Sequence, residues 1–142
     1  MKSDNKKQND KKPKSFNAKE FVQTHNILWA PSPRQLAMME RTEFEGLYGG
    51  AAGGGKSDYL LVEALRQVHI KAYRAIIFRK TFPELEDLIS RSMELYGGAF
   101  PKAEYNVSRH VWTFPSGAKI YFGSMQHTKD RLKYQGRHFD FV

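Results

Sequence analysis

The 142 residues carry 23 lysines and arginines against 15 aspartates and glutamates, a formal net charge of +8, with 40% apolar and 13% aromatic side chains. That is about one domain of chain with material for a core, and its basic surface suits a polyanionic partner or simple solubility. Cysteine is absent, which excludes disulfides and thiolate metal sites. No run approaches the roughly 18 consecutive apolar residues of a membrane span, and the polar start lacks a signal peptide's apolar core. The expectation is a soluble protein with no membrane partner.

Residues 1–20 are lysine-rich and nearly devoid of apolar side chains, so they are expected to form a basic flexible tail ahead of an ordered unit over 21–142. Ser32 is a candidate N-cap, Pro33 suits the first helical position, and Gln35 closes a capping box, predicting a helix to about Arg41. Phe44–Gly50 reads as a strand running into a glycine cluster. From Ser57 to Ile70, Leu60, Leu61, Ala64, Leu65 and Val68 fall on one helical face, with Asp58 in the first turn and His69 in the last to suit the helix dipole. Arg74–Lys80 is a nearly continuous apolar run, as in a strand covered on both faces. Thr81 and Glu84 open a second capping box, and the stripe Leu85, Leu88, Ile89 and Tyr96 ends at Gly97-Gly98. Strand, helix, strand, helix with short joints predicts an α/β domain with a mainly parallel sheet flanked by helices. His110–Phe114 and Ala118–Ser124, joined by Pro115-Ser116-Gly117, read as an added β-hairpin. Residues 125–138 are basic and loop-like, with a helical turn at most. Phe139–Val142 looks like the start of a buried strand. The five histidines lack metal-ligand spacing.

The chemistry concentrates at Gly50-Ala51-Ala52-Gly53-Gly54-Gly55-Lys56-Ser57, which matches G-x-x-x-x-G-K-[ST] throughout. Glycines let successive backbone N–H groups converge on an anion with no Cβ in between. The helix that follows offers free N–H groups and the positive end of its dipole. Lys56 would place its charge near β and γ phosphates, and Ser57 would offer a hydroxyl to Mg2+. The bland alternative is a flexible turn with an accidental lysine. A strand before and a helix after are the context that a phosphate loop requires.

Four segments in this order, Gly46–Ser57, Ile76–Leu85, Trp112–Ser124 and Tyr134–Val142, resemble the N-terminal ATPase domain of tailed-phage terminase large subunits, the motors that drive viral DNA into a procapsid. The resemblance runs from about Pro31 to Val142. It implies a RecA-like (ASCE-type) P-loop NTPase fold, ATP and Mg2+ as cofactors, and double-stranded DNA as partner. It further implies a homo-oligomeric ring with portal protein and small terminase subunit, working in the host cytoplasm during phage assembly. It also implies that Gln35 recognises adenine, beside its capping-box reading. Arg79 is then a contact to nucleotide or to DNA, and one of Arg131, Lys133 or Arg137 an arginine finger acting on a neighbour's nucleotide. The acids that should end the Walker B strand are not found, and Asp140 sits among aromatics within the run. The chain therefore reads as a C-terminally incomplete front fragment without its nuclease domain, inactive alone. Two other readings fit: a superfamily 1 or 2 helicase-like ATPase fragment, and a nucleotide- or DNA-binding module without turnover.

Overall fold

The computed structural model describes residues 16–142. The basic tail expected over 1–20 lies outside the described residues as far as residue 15. Its remainder is not tail: helix α1, Ala18–Thr24, begins there with Asn17 capping the Glu20 N–H. Ala18 and Val22 face the core, so a short amphipathic pattern ended the polar segment sooner than its lysines suggested. Helix α2, Pro33–Met39, has the predicted capping box, with Ser32 and Gln35 exchanging side-chain and backbone bonds and proline at the start.

The strand predicted at Phe44–Gly50 is not formed. Phe44 and Leu47 are fully exposed. Among the described residues this stretch has no strand beside it to pair with, and β propensity without a ladder does not hold a strand. Helix α3 spans Lys56–Ala64 and stops six residues short of Ile70. Tight turns follow instead, with Val68 N–H bonded to Leu65 O and Ile70 N–H to Gln67 O. The Tyr73 hydroxyl donates to the Ala64 carbonyl at the helix end. The turns keep Leu65 and Val68 buried while bringing the chain round into β1.

Strand β1, Arg74–Arg79, buries Ala75, Ile76 and Ile77 in succession, as a strand covered on both faces should. Helix α4, Phe82–Ala99, opens with the Thr81–Glu84 capping box and continues through Gly97-Gly98. Packing of the next residue, Phe100, edge-on against Phe114 at 5.2 Å outweighs the cost of about 1 kcal/mol per helical glycine. Strands β2 (Glu104–Asn106), β3 (Val111–Thr113) and β4 (Lys119–Ser124) complete a four-stranded sheet in the order β1-β4-β3-β2. Only β1 and β4 are parallel; β2–β3 and β3–β4 are antiparallel. The sheet is thus mixed, where mainly parallel was expected. Short connections force antiparallel neighbours, and only the β1-to-β4 connection is long enough for a crossover. The predicted hairpin is β3–β4, and β2 extends it into a meander.

Helices α3 and α4 pack against each other and on β1, with the buried Tyr96 hydroxyl donating to Leu61 O. Leu61, Val62, Leu85, Leu95 and Ile120 are fully enclosed here, each contributing about 1.5–3 kcal/mol relative to exposure. On the other face, Tyr134 packs edge-on to Phe78 and Phe139 to Tyr121. Tyr134 ends a 3-10 segment, Thr128–Tyr134, and its seat depends on Gly123: a Cβ there would lie 2.4 Å from the tyrosine oxygen and 2.8 Å from Phe78. The strand expected at Phe139–Val142 is reduced to one bridge. Phe141 forms a single parallel bridge with Ala75, and Val142 is exposed, so this segment is less buried than its composition suggested. No helix among the described residues is long and apolar enough to cross a membrane.

Candidate functional site: a glycine loop on a helix N-terminus

Gly50–Gly54 lie exposed between the unpaired segment and α3, and Lys56 is the first helical residue. Gly55 occupies the N-cap position in the left-handed region (φ 71°), which only glycine adopts readily. It has no side chain, so the first turn of α3 has no side-chain cap. The Lys56 ammonium folds back over the loop, donating to Gly50 O at 2.8 Å and Ala51 O at 2.7 Å.

Arg79, the last residue of β1, donates to the Ser57 hydroxyl at 3.2 Å and to Phe78 O at 3.1 Å. The loop therefore sits at the carboxyl end of the parallel pair, where open α/β sheets bind ligands. The Arg79 guanidinium thus lies beside the glycine loop. Asp58 in the next position receives a two-pronged bond from Arg91 of α4, both contacts at 2.9 Å, and Arg91 also pairs with Glu94. These carboxylates hold the guanidinium still further above its ordinary range. The first turn of α3 is thus clamped to α4 across 33 positions of sequence, a partner that no local pattern signals.

Gln35 is buried against the same loop. Its Oε1 accepts from Ser32 N–H at 2.7 Å and its Nε2 donates to Gly55 O at 2.9 Å. A cleft of about 890 Å3 runs from Lys56 and Ser57 along Tyr59 and Glu63 of α3 to Phe139–Val142. Within it, burial pushes the Tyr59 hydroxyl up to about 12. Burial likewise raises the Glu63 carboxyl, against the opposing pull of Arg66. Asp140 lines this cleft too, but its carboxylate accepts from Arg74 N–H at 2.8 Å. That is the opposite end of β1 from Arg79, about 16 Å away along an extended strand. A smaller cleft beside Ser57 and Arg79 is lined by Glu84, Asp87 and Arg91.

The three basic candidates in the 3-10 region differ. Lys133 pairs with Asp130 at 2.9 Å. The Asp130 carboxyl is held down at about 2, chiefly by the His127 backbone N–H and then by Lys133. The Arg137 guanidinium stacks over Tyr121 and Phe139, at 4.7 and 5.2 Å. Arg131 is exposed.

Fold and loop together define an α/β chain with an exposed glycine loop at the carboxyl edge of its sheet. Residues 47–142 match the family model described as terminase large subunit, T4likevirus-type, N-terminal, and the chain belongs to that family. Comparison with curated proteins and with solved structures gave no match.

Proposed function

We propose that this chain is the ATP-binding part of a viral DNA-packaging ATPase, built on a RecA-like P-loop framework. The observation that carries the reading is the Gly50–Ser57 loop, seated on the free N-terminus of α3 at the carboxyl end of β1 in a terminase large-subunit N-terminal chain. On this reading the N–H groups of the loop and first turn take the β and γ phosphates. Lys56 leaves the carbonyls of Gly50 and Ala51 for the phosphates, and Arg79 is within reach of the same charge. No three His, Cys, Asp or Glu side chains among the described residues cluster to hold a metal alone. Mg2+ would take the exposed Ser57 hydroxyl as one ligand among phosphate oxygens and waters once Arg79 has left it for phosphate, and would neutralise phosphate charge there.

Hydrolysis also needs an acid near Ser57. Asp140 is at the wrong end of β1 and Glu84 caps the Thr81 N–H, whereas Asp87 lines the cleft beside Ser57 and Arg79. Turnover, DNA translocation, a ring and its portal and small-subunit partners are proposed of the full-length protein. The test is Lys56→Ala: magnesium-ATP affinity measured by calorimetry should fall at least about tenfold, while the circular dichroism spectrum is retained. Unchanged affinity in the folded variant would remove the loop assignment.

A further inference from the structure

We infer that Gln35 is a positioning residue for the phosphate loop, acting through Gly55 and not by reading a base; this rests on the loop binding polyphosphate. Gln35 is 4% exposed, and both ends of its amide are occupied. A backbone N–H only donates and a carbonyl only accepts, so the Ser32 N–H and the Gly55 carbonyl allow the amide a single orientation. Gly55 O accepts a second bond from Tyr59 N–H at 3.0 Å. The residue held by these two bonds is the left-handed hinge between loop and helix. The fit is close: a Cβ on Gly55 would stand 2.5 Å from Gln35 Nε2. A base-reading glutamine must present acceptor and donor to the adenine edge. Here the remaining lone pair and N–H are enclosed, and the base would have to displace both existing bonds. Gln35 thus ties the start of α2 to the hinge of the loop and fixes the direction of the α3 N-terminus.

Gln35→Glu isolates this role, because glutamate keeps the capping-box acceptor for Ser32 N–H but loses the donor to Gly55 O. Gln35→Met serves as a second variant of similar length. Ser32→Ala is the control that weakens the α2 cap and leaves the Gly55 bond. Calorimetric affinities for magnesium complexes of ATP, GTP and inorganic tripolyphosphate are read beside amide NMR spectra of the ligand-free chain. Both Gln35 variants should weaken all three ligands by the same factor, about three- to tenfold. They should also broaden or shift the Gly53–Ser57 amides, while Ser32→Ala changes neither. A loss confined to ATP would overturn the inference in favour of adenine recognition. Unperturbed loop amides would overturn it whatever the binding shows. If the unaltered chain binds no polyphosphate, or Lys56→Ala changes nothing, the proposed function fails instead, and the ligand-free spectra still decide the role of Gln35.

Discussion

Glu63 sits one turn above Tyr59 on α3 with its side chain 12% exposed, and its Oε2 is buried without a hydrogen-bond partner among the described residues. Burial is the leading cause of its raised carboxyl pKa, so the folded state holds this proton to a higher pH than the unfolded chain does. Between the ordinary value of 4.5 and the raised one, the folded state binds more protons, and stability from this group falls as pH rises. Unfolding free energies should therefore show the unaltered chain gaining on Glu63→Gln as pH drops from neutral toward 4.5. A difference that stays flat would mean that Arg66 fully compensates the burial. At this same scale, Lys56 and Arg79 rest on neighbouring oxygens in the ligand-free site. Under the proposed function, phosphate would replace those oxygens as the partner of each cation.

Helix α4 packs on α3, β1 and β4, and one of its bonds to the sheet is made by a buried indole. The Trp112 indole N–H of β3 donates to Ser92 Oγ at 2.9 Å, and that hydroxyl donates to Ile89 O at 2.6 Å. Ser92 is fully buried and Trp112 is 4% exposed, so Ser92→Ala leaves an enclosed indole donor unsatisfied. Denaturant unfolding should show a loss of about 1–3 kcal/mol. A loss below about 0.5 kcal/mol would place a substitute partner, such as water, at the indole. The Asp58–Arg91 pair is partly solvated, and its worth is orientation of the α3 first turn more than stability.

Over the whole molecule, basic residues outnumber acidic ones by 23 to 15. The formal charge of +8 makes a backbone-tracking contact with duplex DNA the expected mode under the proposed function. Fluorescence anisotropy should then show affinity falling linearly on a log–log plot against salt, with a slope of about −0.9 per phosphate neutralised and little dependence on sequence. Strong sequence preference or a salt-independent affinity would rule out that mode. Among the described residues Phe44 and Leu47, on the segment that precedes the glycine loop, are the most exposed of the large apolar side chains.

Local patterns were enough for the capping boxes at Ser32 and Thr81, the β3–β4 hairpin and the glycine loop, because each is written within a few consecutive residues whose bonds close on one another. The membership that those motifs suggested is the one that the family match shows. Features whose energy comes from distant chain were not legible. Strand character at Phe44–Gly50 needed a neighbour to pair with, and α4 ran past its glycines because Phe114 receives Phe100. Gln35 shows the division most plainly. Its bond to Ser32 follows from a spacing of three, whereas its bond to Gly55 spans 20 positions and exists only once α2 is packed beside the loop. A hydrogen bond between fixed neighbours costs little entropy and can be read from spacing, but one between distant segments depends on the packing that brings them together.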